Sequence, residues 1–323
     1  MKQFKKIDGA VTAPRGFKAA AISAGIKYKR DDMALIASER PASVAGVFTT
    51  NKICAAPVRL CREHLLGRQA FAVIINAGCA NACTGRVGME NARRMAYLTA
   101  RHLRVPEKTV FVCSTGTIGL QLPMNKIEKG IRKAVSKLAP DAGPRVAKAI
   151  MTTDTVDKQV ALEFKIDGMT VRIGGIAKGA GMIEPNMATM LSFITTDAVV
   201  APGDLQRCLA DAVADSFNRI TVDGDQSTND TVLLLANGAA GHKPLNRKHK
   251  DWKVFEGAVR EVTKELALKI VKDGEGATKF VTVTVRGAAT ESDACKASRA
   301  VANSLLVKTS WFGGDPNWGR VID

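Results

Sequence analysis

The feature that most constrains the fold is a regular exchange between short apolar runs and longer amphipathic stretches. The densest apolar runs, residues 71–75 (FAVII) and 232–236 (VLLLA), hold five residues each. Five suffice for a strand buried on both faces, and fall far short of the roughly 18 a membrane helix needs. Residues 109–113, 160–164, 170–173, 191–195, 231–236 and 279–285 also read as strands, and Asp167-Gly168 is a hairpin turn between the second and third of these. Helical periodicity runs through residues 90–103, 124–138 and 292–306. It also marks the stretch opened by Pro202-Gly203-Asp204, and the stripe Phe255, Val259, Val262, Leu266 and Ile270, stopped at Gly274. Residues 76–88, 114–119 and 174–181 are rich in turn formers and read as loops; residues 238–249 read as the most exposed connection. Interleaved strands and helices define an α/β protein. A chain of 323 residues can bury a core without disulfides or metal.

Charge and cysteine content exclude several functions. The net charge is +16, which invites a nucleic-acid reading. The basic residues are scattered, however, and three Trp, two Tyr and eleven Phe supply few stacking partners. On residues 124–138, Lys126, Lys129, Lys133 and Lys137 share one helical face opposite Ile127, Ile131, Ala134 and Leu138, the pattern of a solvated face. The positive charge suits steering of acidic small molecules. Seven cysteines with no C-x-x-C pair, and four histidines away from them, predict neither a zinc site nor a disulfide framework. Reduced thiols fit the cytoplasm. The N-terminus carries Lys2, Lys5 and Lys6 with no apolar segment, so a secretory signal is not expected. At the other end, residues 311–320 read as a loop and Val321-Ile322 as the start of a strand, which predicts a chain shorter than its fold.

The segment richest in chemistry is residues 178–191 (KGAGMIEPNMATML). Glycines and a proline precede Ala188-Thr189, and an apolar run follows. A strained loop that offers the Ala188 carbonyl to the Thr189 hydroxyl would allow an N-to-O acyl shift, and hydrolysis of the ester would leave Thr189 as a new N-terminus. Such a threonine carries a nucleophile and its own base on one residue, since a free α-amino group has a pKa near 8. Taken alone, the same residues also describe a tight loop feeding a strand.

Residues 178–191 resemble the self-cleavage segment of the ornithine acetyltransferase family, the bifunctional glutamate N-acetyltransferases of arginine biosynthesis. Residues 11–18 (VTAPRGFK), 114–119 (STGTIG), 216–238 (SFNRITVDGDQSTNDTVLLLANG) and 314–320 (GDPNWGR) resemble the same family, in family order. The early start of the match argues against a transit peptide.

The resemblance implies a self-cleaving enzyme with an N-terminal threonine nucleophile, split between Ala188 and Thr189 into α (1–188) and β (189–323) chains that associate, commonly as α2β2. Thr189 would take the acetyl group of N-acetylornithine as an ester and pass it to glutamate. Thr115 and Gly116 match the oxyanion hole, and Thr152, Lys178 and Glu275 match substrate-binding positions. Thr153, beside Thr152, is the weaker match. No metal, nucleotide cofactor, nucleic acid or membrane is implied; acetyl-CoA is a second acetyl donor in bifunctional members. Asp223 and Asp225 lack the rest of a calcium site and read as hydrogen-bonded turns. The rival readings are a related amidase or aminopeptidase using the same kind of nucleophile, and an inactive remnant lacking the family's C-terminal part.

Overall fold

The computed structural model describes residues 4–184 and 190–323. Its strands are β1 (Lys5–Lys6), β2 (Phe17–Ile22), β3 (Met33–Phe48), β4 (Gln69–Cys79), β5 (Val110–Thr117), β6 (Lys158–Ile166), β7 (Met169–Lys178), β8 (Leu191–Thr196) and β9 (Thr231–Ala236). The sheet order is β1-β6-β7-β8-β9-β3-β4-β5, with β2 added on β3. The pairs β4–β5 and β8–β9 are parallel and the others antiparallel.

β3 joins two wings. Residues 33–37 pair with β2 and β4, and residues 43–48 pair with β9. Between them the register breaks, from Ala37 to Ala42. Glu39, Arg40 and Pro41 sit there, exposed; proline has no N–H to give the ladder, and the charges stay in water. The bend turns the wings face to face. In β9, Val232, Leu234 and Ala236 point to a core that includes residues of α5 (Pro202–Ala214) and α6 (Trp252–Lys272). Leu233 and Leu235 point the other way, into an inner core with Ile176, Phe193, Val73, Ile75 and Phe111 from both wings. Ala72, Ile74, Val110 and Val112 then face outward beneath α2 (Gly85–Leu103) and α3 (Met124–Ser136). The layers run helix, sheet, sheet, helix. The period of two along each strand therefore feeds two cores, which is why these runs are apolar throughout.

The expected elements are present with shifts at their ends. β4 runs past Ile75 to Cys79, and β5 runs to Thr117, so Thr115 and Gly116 close a strand instead of lying in a loop. Residues 174–178, read as glycine-rich loop, finish β7; any Cβ on Gly174 would come within 1.8 Å of the Ala10 carbonyl oxygen, so glycine there answers a close approach of backbone. Lys126, Lys129, Lys133 and Lys137 are exposed on α3 and its end, opposite buried Ile127, Ile131 and Ala134. In the connection 238–249, His242 and Leu245 are buried. β3, α1 (Ala56–Leu65) and α4 (Gly143–Ala149) carried no clear sequence signal.

Two expectations near the C-terminus are corrected. Residues 279–285 form no strand, and Phe280 and Val281 stay 46% and 40% exposed. Alternation supplies a strand only where an edge accepts it, and no described strand pairs with this segment. The predicted helix 292–306 is broken into α7 (Glu291–Asn303) and α8 (Leu305–Gly313), because Ser304 takes extended angles and its hydroxyl accepts the Val307 N–H, capping a new helix. Trp311 thus lies in a helix, and Val321 and Ile322 belong to α9 (Gly319–Ile322), a single exposed turn.

Candidate active site

The candidate residues converge where the C-terminal ends of β5 and β7 meet the N-terminal ends of β8 and β9. Lys178, the last residue of β7, stands opposite Leu191 on β8, which in turn stands opposite Thr231 on β9. The Lys178 side chain is 3% exposed and donates to the Thr152 hydroxyl at 2.7 Å. Thr153 is exposed and Thr152 half-buried. Asp154 lies 4.0 Å from the Lys178 ammonium. One of its oxygens accepts from Gly179 N–H (2.6 Å) and from buried Lys158 (2.7 Å), the other from Thr152 N–H (3.0 Å). Burial pushes the Asp154 carboxyl up, but the charges of Lys178 and Lys158 and the Gly179 N–H outweigh it and hold the group below the usual range. Burial also lowers the Lys178 ammonium, and Asp154 opposes that.

Glu275 reaches the same place from the far end of α6. Its N–H donates to the Ala180 carbonyl (2.8 Å), and its exposed carboxylate lies over Gly181, where a Cβ would come within 2.5 Å of it. Thr115 is buried and Gly116 exposed at the end of β5. Gly116 has φ +130° and abuts Gly78 so closely that only glycine fits. Ala188 and Thr189 lie outside the described residues.

Asn229 and Asp230 couple these parts, and no local pattern in the chain distinguishes them from the polar residues around them. Asn229 Nδ2 donates to the Ala80 (2.7 Å) and Ser114 (2.9 Å) carbonyls and so anchors the residue before Thr115. Asp230 Oδ1 accepts from Met190 N–H (2.9 Å), while Oδ2 is buried without a hydrogen-bond partner among the described residues. Burial drives its carboxyl well above the usual value, which the Met190 N–H, the Ser227 side chain and the Lys178 charge only partly offset. Asp154, Lys158 and Asp273 were also missed: in the sequence they are ordinary charges, and only burial distinguishes them. The Asp223 carboxylate accepts from Met182, Ile183 and Asp225 N–H groups, the hydrogen-bonded turn expected of that stretch.

Away from this site, Asp167, His249 and Asp251 gather their ligand atoms within 4.8 Å. Asp251 N–H donates to His249 Nδ1 (3.1 Å), so the neutral ring carries its proton on Nε2, which faces Asp167 at 3.1 Å. Both ring nitrogens are thereby used in hydrogen bonds, and the cluster is a satisfied turn.

Fold and site together define a four-layered α/β enzyme in which buried charged and hydroxyl side chains gather at converging strand ends. More narrowly, the chain belongs to the ArgJ family, whose model matches residues 18–323. It is 52% identical over 320 residues to a glutamate N-acetyltransferase of Methanocaldococcus jannaschii, covering 98% of this chain and 77% of that one. It is 53% identical over 313 residues to an arginine biosynthesis bifunctional protein ArgJ of Thermotoga neapolitana, covering 96% and 78%. Among solved structures, it is similar to an ornithine acetyltransferase complexed with ornithine from Mycobacterium tuberculosis: 43% identity, TM-score 0.53, 56% of this chain and 98% of that one. A Burkholderia β-aminopeptidase at 14% identity, TM-score 0.51, covering 81% and 86%, shares the fold. No helix among the described residues is long and apolar enough to cross a membrane.

Proposed function

We propose that this chain is a glutamate N-acetyltransferase of arginine biosynthesis that cleaves itself between Ala188 and Thr189 and uses the freed Thr189 as nucleophile. The observation that carries this reading is the gathering at one place of a cation, Lys178, a carboxylate, Glu275, and the start of β8, pinned by Asp230 at the residue after Thr189. N-acetylornithine has a carboxylate for Lys178, with Thr152 beside it, and an ammonium for Glu275. The Thr189 hydroxyl attacks the acetyl carbonyl, its proton passing to the Thr189 amine. Thr115 and the Gly116 N–H receive the developing oxyanion. The amine returns the proton to the leaving nitrogen, ornithine departs, and acetyl-threonine remains. Glutamate then attacks the ester by the reverse sequence and leaves as N-acetylglutamate. Nucleophile, proton carrier and oxyanion donors all come from the chain, so the route calls for no metal or cofactor. Acetyl-CoA is a second acetyl donor on this reading.

The two pieces, 1–188 and 189–323, stay associated through shared sheet pairing, as α2β2, in the cytoplasm. The ornithine acetyltransferase structure supports the division: nearly all of that solved chain is matched by little more than half of this one, much as 188 residues stand to 323. Intact mass under denaturing conditions tests the first step. The 34.4 kDa chain should give pieces of roughly 20 and 14 kDa, the smaller beginning Thr-Met-Leu. Thr189→Ala should abolish both cleavage and acetyl transfer. Ornithine release that does not depend on glutamate would favour a hydrolase, the activity type of the aminopeptidase that shares the fold, and sink the transferase reading.

A further inference from the structure

Lys158 opens β6 and is wholly buried, yet nothing in the reaction above uses it. Its ammonium donates to Asp154 (2.7 Å), to Asp273 (2.5 Å) and to the Val156 carbonyl (3.3 Å), which occupies all three of its donors. Each carboxylate is in turn tied to backbone. Asp154 holds the N–H groups of Thr152 and Gly179, the residues that carry and follow the Thr152–Lys178 pair. Asp273 holds Thr155 through both its N–H (3.1 Å) and its hydroxyl, and it sits two residues before Glu275 at the end of α6. Burial raises the Asp273 carboxyl, but Lys158 and Thr155 more than reverse this, so the group stays ionised. A chain of polar contacts thus runs from Thr152 and Lys178 through Asp154, Lys158 and Asp273 to the segment bearing Glu275.

We infer that Lys158 is a positioning residue: a buried cation that fixes the distance between the carboxylate-binding side of the pocket (Lys178, Thr152) and its ammonium-binding side (Glu275). The inference rests on the proposed acetyl transfer and deepens it. After cleavage at Ala188–Thr189, Lys158 and Asp154 belong to one piece and Asp273 and Glu275 to the other. The peptide link between the two sides of the pocket is then gone. The span between them depends on non-covalent ties, of which the Lys158–Asp273 pair and the Glu275 N–H on the Ala180 carbonyl flank Glu275 directly. A substrate that bridges the two sides, with a carboxylate at one end and an ammonium at the other, is read by that span. A shorter or longer amino acid is discriminated by the same fixed distance.

The test uses the processed protein with its two pieces together. Lys158→Met keeps the aliphatic stem and removes the donors; Asp273→Asn leaves Lys158 its Asp154 partner and weakens the contacts that Asp273 makes with Lys158 and Thr155. Rates are referred to the concentration of cleaved, acetylatable Thr189, so that loss of folded protein does not enter. KM for N-acetylornithine should rise about tenfold or more in either variant, with kcat changing far less. Cleavage into two pieces should persist in Asp273→Asn. A merely structural role would lower the urea midpoint and the number of active sites but leave KM per site unmoved. KM within twofold of wild type in the folded variants overturns the inference, and Asp273→Asn decides alone if Lys158→Met does not fold. A wild type that releases no ornithine in the parallel assay refutes the acetyl-transfer reading itself, and the positioning role with it.

Discussion

Gly116→Ala is the sharpest local test of the oxyanion assignment. At φ +130° an L-residue is strained by about 1–3 kcal/mol. The new Cβ would also lie 2.3 Å from the Gly78 carbonyl carbon and 2.6 Å from Cys79 N, both backbone atoms of the neighbouring strand. No side chain can swing aside to relieve that contact, so β4 and β5 must part locally, adding about 1–3 kcal/mol. The total is about 2–6 kcal/mol of stability. The Gly116 N–H moves with its Cα, and loss of one oxyanion donor typically costs about 10²–10³ in rate. Gly119→Ala is the internal control: φ there is also positive (+85°), but among the described residues nothing beyond its own chain neighbours lies within 4 Å of the added Cβ, leaving a strain of about 1–2 kcal/mol and no displacement. Urea unfolding of each processed protein and steady-state acetyl transfer to glutamate give the two numbers. If Gly116→Ala matches Gly119→Ala in both midpoint and kcat, the close packing on Gly78 does not set the position of the N–H, and the oxyanion assignment falls.

Two further outcomes follow from the charged pocket. Gly181→Ala places a Cβ against the Glu275 carboxylate, a movable side-chain end, so KM for N-acetylornithine should rise while the urea midpoint hardly changes; an unchanged KM would remove Glu275 from the ammonium site. Asp154 and Asp273 are both held below the ordinary carboxylate pKa of about 3.9, so their stabilisation is complete above that value and is lost as pH falls through their lower folded values. The urea midpoint of wild type should therefore fall more steeply below about pH 4 than that of Asp273→Asn; parallel curves would show that the Lys158–Asp273 pair is not a source of acid sensitivity.

Local chemistry is written plainly in the chain. Runs such as residues 231–236 specify strands because six consecutive apolar or β-branched side chains suit a strand covered on both faces. The spacing of Phe255, Val259, Val262, Leu266 and Ile270 specifies a helix for the same local reason, one face to bury. Residues within continuous motifs, Thr115, Gly116 and Lys178, can likewise be singled out from the chain. Tertiary structure alone decided the rest. Nothing in residues 33–48 announces that one strand bends at Pro41 and brings two wings together, because that bend has meaning only against β4 and β9. Residues 279–285 have the alternation of a strand and remain without one, since pairing needs an edge that no local pattern supplies. Lys158 and Asp273 are 115 residues apart and look like any solvated charges. Only the fold takes both out of water, and desolvation makes each depend on the other, because a buried charge must find its partner within the protein.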